Sequence, residues 1–199
     1  MKDLGGLSPA VSSAGAESRI PLLPIELDDR QKALYARIAG GPRGGVRGPL
    51  ALWLYSPELA ESAQALGEFL RYKSVFAPQL SEFIILIVAR HLDCEYEWSA
   101  HAPIAERVGV PPKVLQAIGE GREPIFEDPS YAALYKFVMQ LMTANRVDDA
   151  VFQECHALFG ERGIVEATST MGYYSMAAFM LNAAQAPAAA GRTLPPRAG

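Results

Sequence analysis

Apolar positions along this chain recur mostly at helical spacing, and the breaks between them carry helix start and stop signals. A first helix is predicted to open at Leu27-Asp28-Asp29 and run to about Ala39. Ser56-Pro57-Glu58 combines an N-cap serine, a proline in the first turn and an acid, so a second helix is predicted from there to about Tyr72. Its expected buried stripe is Leu59, Ala63, Leu66, Phe69 and Leu70. A third helix begins near Pro78. Its run Phe83-Ile84-Ile85-Leu86-Ile87-Val88-Ala89 is apolar on all sides, which predicts a central helix. A strand over Ile84 to Val88 is the competing assignment, but no turn signal follows until Asp93. Asp93 is expected to cap the next helix, which ends at Gly109 before Pro111-Pro112. Asp128-Pro129 and Asp148 start two more, and Gly163 precedes a last one to about Ala184. The pattern predicts an all-α, single-domain helical bundle without strands.

Flanking this body are two stretches without periodicity. Residues 1–20, rich in Gly, Ser and Ala, read as a flexible leader, and residues 187–199, rich in Pro and Ala, as a tail. The folded body is expected over residues 21–186. The connection from Ala39 to Ser56 is long and carries Gly40, Gly41, Gly44, Gly45 and Gly48. Such a connection either bears on function or is merely flexible.

Composition narrows the function classes. A net charge of -4 argues against a nucleic-acid partner, because the Lys and Arg residues are scattered apart from a loose cluster at Arg43 and Arg47. Met1 to Gly6 lacks the apolar core of a secretory signal. The apolar stretch from Tyr173 to Ala184 is interrupted by Ser175 and by Asn182, which makes it a buried helix rather than a membrane span. Two cysteines, Cys94 and Cys155, make neither a disulfide framework nor a zinc quartet. A soluble, cytoplasmic protein acting on a small molecule is expected, with no membrane partner.

The chemistry concentrates in Asp93-Cys94-Glu95-Tyr96-Glu97-Trp98-Ser99-Ala100-His101. With Asp93 at the N-cap, Cys94 would sit in the first turn, where the helix dipole favours a thiolate. Glu97 and His101 follow on the same stripe and are i,i+4 neighbours, close enough to share a proton. Glu82, just before the apolar run, is expected to be partly buried and to hold its proton near neutral pH. These groups form a possible general acid/base set. The same pattern also fits a solvated Glu–His pair beside a small core cysteine. Cys155 reads as core, and Trp53, Tyr173 and Tyr174 as packing, while Trp98 could wall a pocket. Three mixed ligands on one stripe make a metal site a weak option, and none is expected.

Glu82, eleven intervening residues, and then Cys94-Glu95-Tyr96-Glu97-Trp98-Ser99-Ala100-His101 resemble the carboxymuconolactone decarboxylase family, which includes the alkylhydroperoxidase D-like proteins. Gly48-Pro49, Ser56-Pro57-Glu58-Leu59-Ala60, Gly67-Glu68-Phe69, Val88-Ala89-Arg90, Tyr173-Tyr174 and Leu181-Asn182-Ala183 are similar in context, so the resemblance spans roughly residues 30–186. It implies a bundle of the alkylhydroperoxidase D-like type, assembled as a homotrimer or homohexamer with sites near subunit contacts.

In the peroxidase branch a Cys-x-x-Cys pair, a following histidine and an upstream glutamate form the site. Cys94, His101 and Glu82 match, but Glu97 stands where the second cysteine belongs, and a carboxylate cannot complete a disulfide. In the decarboxylase branch a glutamate and a histidine suffice, without a cofactor. The resemblance thus implies a cofactor-free lyase or isomerase acting on a small carbonyl acid or lactone. In it His101 would be the proton donor, Glu97 its orienting partner, Glu82 a second acid/base and Cys94 a wall or auxiliary acid. Tyr96 and Trp98 would contact substrate. The alternatives are peroxiredoxin-type antioxidant activity through Cys94 with an external thiol, and a non-catalytic ligand-binding member of the fold.

Overall fold

Helix starts fall where the capping residues stand. The computed structural model describes residues 18–24, 26–189 and 192–198. Asp28 accepts the Gln31 N–H at 2.7 Å while Gln31 Oε1 accepts the Asp28 N–H at 2.9 Å, a reciprocal cap that opens α1 (Asp29–Ala39). The connection after it is not all loop: Pro49–Trp53 forms a short α2. α3 (Pro57–Tyr72) begins after Ser56, whose side chain makes no capping hydrogen bond, so the proline and the acid carry that start. α4 (Pro78–His91), α5 (Glu95–Arg107) and α6 (Pro112–Gly119) follow. The short α6 lay outside the predicted elements. α7 (Pro129–Ala144) starts at Asp128, whose carboxylate accepts the Ser130 N–H at 2.8 Å. α8 (Asp149–Ala184) is two helices joined at Gly160, where φ is 64°, so the break falls three residues before the glycine expected to mark it. Among the described residues there are eight helical elements, the last broken at Gly160, and no strand.

α4 is the centre. Every residue from Ser81 to Arg90 is buried, and the helix packs against α5, α7 and α8. Burying its large aliphatic side chains contributes about 1.5–3 kcal/mol each relative to exposure. A helix apolar all round has no solvated face, so a charged residue on it must find partners inside the protein. Glu82 is that residue.

The buried stripe of α3 is displaced from the expected one. Ala60, Ala63, Gly67 and Leu70 face the core, while Leu59, Leu66 and Phe69 are exposed. Small residues let α3 approach α8 closely, and the large apolar ones look outward together with Tyr72 and Val75.

Asp93 does not cap α5. It adopts φ of 47° and closes α4 instead: the Cys94 N–H donates to Ala89 O at 2.8 Å and the Asp93 N–H to Arg90 O at 3.2 Å. That is the hydrogen-bond pattern of a Schellman C-terminus. The N-cap of α5 is therefore Cys94 itself, with no side-chain capping bond.

Of the expected leader, residues 1–17 lie outside the described residues, while Ser18 and Arg19 are tied to Ala184 O at the end of α8. Residues 192–198 of the expected tail lie on the α4–α5–α6 corner. Arg197 donates to Asp93 Oδ1 at 2.9 Å and to Arg90 O at 3.1 Å, and Arg90 donates to Pro195 O at 2.8 Å. The Leu194 and Ala198 N–H groups donate to Glu95 Oε1 and Glu120 O. No helix among the described residues is long and apolar enough to cross a membrane.

Candidate functional site

α4 and α5 form a corner that brings Glu82 of one helix against His101 of the other. Glu82 Oε2 lies 2.6 Å from His101 Nδ1, and both side chains are buried. One turn earlier on α5, Glu97 Oε2 lies 3.3 Å from His101 Nε2. Both ring nitrogens therefore face carboxylate oxygens, an arrangement that suits the doubly protonated ring. Burial works against the charged ring, but Glu82 and then Glu97 outweigh it and lift the His101 pKa to about 9. At neutral pH His101 is an imidazolium.

Glu82 departs from expectation in its protonation. Burial alone would raise its pKa, yet the charge and hydrogen bond of His101, with help from Arg71, hold it below the usual carboxylate value. Arg71, from the last turn of α3, lies 3.6 Å from Glu82 Oε1. The sequence reading did not single it out, because nothing local joins an exposed-looking helix end to a glutamate eleven residues later.

The lid of the cluster is aromatic. The Tyr174 ring meets His101 edge-on at 5.3 Å, and Tyr173 lies edge-on to Tyr174 at 5.3 Å and to Trp53 at 5.8 Å. Burial pushes Tyr173 up to about 12 and Tyr174 well above its ordinary value, so both keep their hydroxyl protons as donors. Read from the sequence as packing alone, these two tyrosines also line the cleft.

That cleft has a volume of about 480 Å³ and reaches Glu97 and His101. Pockets of this size hold small organic ligands. Arg43, Gly45 and Arg47 of the glycine-rich connection form one wall, so this connection bears on the site. Tyr96 lines the cleft and packs over Gly48, which has φ of 57° and where a Cβ would stand 2.6 Å from Tyr96 Cε1. Only glycine meets both conditions.

Two of the singled-out residues are elsewhere. Trp98 is fully buried in the main core, away from the cleft lining, and its Nε1 has no hydrogen-bond partner among the described residues. Cys94 is also fully buried, packed with Leu52, Ala178, Leu181 and Ala184 rather than in the cleft. Burial pushes its thiol up to about 12, the reverse of the activated thiolate expected at a helix start. The dipole effect, typically worth under about 1 kcal/mol, is overridden by desolvation. Cys155 lies in the other apolar cluster, with its thiol pushed up to about 11, so the two sulfurs do not share a site. Among the described residues no group of three or more His, Cys, Asp or Glu has metal-binding geometry.

No protein-family model and no curated protein matches the chain. Solved structures do. An uncharacterized peroxidase-related protein from Ralstonia eutropha, described as an alkylhydroperoxidase AhpD core, aligns with a TM-score of 0.72 at 16% identity, over 88% of this chain and 94% of its own. An uncharacterized peroxidase-related protein from a Silicibacter species aligns with a TM-score of 0.69 at 14% identity, over 88% and 93%. A protein of unknown function from Agrobacterium tumefaciens aligns with a TM-score of 0.58 at 18% identity, over 72% and 99%. The chain has the all-α, alkylhydroperoxidase D-like fold.

Proposed function

We propose that the protein is a cofactor-free lyase or isomerase that moves a proton on a small carbonyl acid or lactone, with His101 as the proton donor. The observation that carries this reading is a histidine ring fixed between two glutamate side chains at a cleft, with both thiols buried away from it. Decarboxylation of such an acid breaks the bond to the carboxyl carbon, releases carbon dioxide and leaves the electron pair in an enolate. The enolate carbon then needs a proton. His101 supplies it, directly from Nε2 or through Glu97, and is reprotonated from solvent.

The geometry supports a division of labour different from the one expected. Glu82, at the shorter distance and braced by Arg71, is the orienting partner. Glu97, at the longer distance and lining the cleft, is the group that exchanges protons with substrate. Tyr96 contributes a wall of the cleft. The test is incorporation of solvent deuterium next to the carbonyl, and release of carbon dioxide, across a panel of 3-oxo acids and unsaturated lactone acids. His101→Asn should abolish both. Activity that survives that substitution, or a panel with no turnover, would defeat the proposal.

The peroxidase-related descriptions of the structures with this fold favour a second reading, peroxide reduction at Cys94. There the thiolate would attack the O–O bond, giving a sulfenic acid and an alcohol, and an external thiol would restore it. The buried, unactivated thiol weighs against this. Peroxide consumption by the protein at a rate no faster than by free cysteine would remove it.

A homo-oligomer, as trimer or hexamer, is part of the same proposal. Leu59, Leu66, Phe69 and Tyr72 on α3, with Val165 and Phe179 on α8, are exposed on two helices that pack together. Apolar surface of this kind marks an assembly face. Light scattering reads the mass directly, and a monomer would refute the assignment.

A further inference from the structure

Four charged groups at the base of the cleft balance one another: Glu82 and Glu97 against His101 and Arg71. Two more cations, Arg43 and Arg47, line the cleft and form no ion pair among the described residues, so it carries excess positive charge. Arg43 is the unusual one. Its Nε and Nη2 are fully buried, yet among the described residues neither has a hydrogen-bond acceptor. An unsatisfied buried donor costs about 1–3 kcal/mol, more when charged, so such donors persist where something else satisfies them.

The surrounding residues are shaped to hold this guanidinium in place. Arg43 lies against the Tyr173 hydroxyl, whose high pKa it pulls back slightly against burial. Gly67 of α3 forms the floor beneath both: a Cβ there would stand 2.6 Å from Arg43 Nη2 and overlap Tyr173 Oη. A planar guanidinium held in this way meets a carboxylate through two parallel hydrogen bonds.

We propose that Arg43 is a specificity-determining residue, whose guanidinium anchors the carboxylate of a small organic acid with Arg47 adding charge at the cleft mouth. The inference rests on reading the cleft as a site for a small carbonyl acid. It goes further in naming which residue selects the acid over its neutral counterpart. The glycine-rich connection is then the element that discriminates among substrates, while α4 and α5 carry the proton.

The experiment is direct binding, by calorimetry or protein-detected NMR, of levulinate (4-oxopentanoate) and its methyl ester. Levulinate should bind at least about tenfold more tightly than the ester, the scale of one charge-assisted hydrogen bond pair. Arg43→Gln should erase that preference and leave the ester's affinity unchanged. Arg43→Lys, which keeps the charge but not the planar edge, should restore only part of it. Circular dichroism verifies that each variant is folded. Equal binding of acid and ester to the wild type, binding of neither, or an unaltered preference in Arg43→Gln would overturn the proposal. The proton-transfer reading fails on a different readout: a His101 ring that titrates at its ordinary value would sink that reading and leave the binding result standing.

Discussion

Replacing Glu82 by Gln keeps the shape of the side chain and removes the charge on which the buried cluster depends. In the wild type, His101 is held at about 9 against an ordinary value of 6.5, which corresponds to about 3 kcal/mol favouring the charged ring. Glu82 at 2.6 Å is the main support, and Glu97 at 3.3 Å the lesser one. With Glu82 neutral, burial regains the upper hand, and the His101 pKa should fall back towards or below its ordinary value. Arg71 also loses its carboxylate partner. The wild type should therefore exceed Glu82→Gln in stability by about 3 kcal/mol at pH 7. The pH dependence has a definite sign. A raised histidine pKa stabilises fully below 6.5, and that contribution is lost as pH rises through about 9. Glu82, held below its ordinary 4.5, contributes above that value and loses its contribution as pH falls through its lowered one. The stability gap between wild type and variant should be widest from about pH 5 to about pH 6.5, narrow as pH rises towards 9, and close again at low pH. Urea denaturation across that range measures the gap. An NMR titration of the three histidine rings, with His101 assigned by its own substitution, measures the pKa. A wild-type His101 titrating near 6.5, or one unmoved by Glu82→Gln, would refute the reasoning.

Replacing His101 by Ala should cost stability as well as activity, because Glu82 and Glu97 are then left as two buried carboxylates with only Arg71 beside them; urea denaturation should give a loss of about 3 kcal/mol at pH 7 that shrinks as pH falls. Neither Cys94 nor Cys155 should react with an aromatic disulfide reagent in the native protein at pH 8, and both should react in guanidinium; prompt labelling of the folded protein would contradict their burial. Gly48→Ala combines a positive φ with a clash against Tyr96 and should lower the melting midpoint by several degrees, equivalent to about 1–3 kcal/mol, whereas a neutral substitution would mean that the connection is free to move.

The sequence made helix starts legible because their causes are local. Asp28, Pro57, Asp128 and Asp148 each announce a helix within a few residues. The central position of α4 was equally plain, since a run apolar on every side has nowhere else to go. Periodicity failed on α3 because it finds an apolar face without saying what covers it. Leu59, Leu66 and Phe69 are as regular as a core stripe, yet the core took the small residues beside them. In the site, the pairing of Glu97 with His101 followed from helical spacing, and Glu82 from its place just before the apolar run, with the family resemblance beside it. Arg71, Arg43, Tyr173 and Tyr174 reach the cleft from α3, a connection and α8, and tertiary packing alone joins them. The activated thiol was misread because a helix N-terminus was located without its surroundings. One misplaced cap, Asp93 for Cys94, hid how deep the sulfur lies.

Four helices here end in the same left-handed turn. Two close on Gly109 and Gly121, which adopt it at no steric cost, α8 closes on Gln185, and α4 closes on Asp93. Glycine would end α4 just as well, but it would offer no oxygen. The carboxylate of Asp93 is what Arg197 holds, with Arg90 3.6 Å from the same oxygen. The far end of the chain is thereby latched to the corner that sets the angle between the helix bearing Glu82 and the helix bearing His101. Clipping off residues 192–198 would remove nothing from the cleft, yet it would unlatch the joint whose angle keeps a carboxylate and an imidazole within reach of each other.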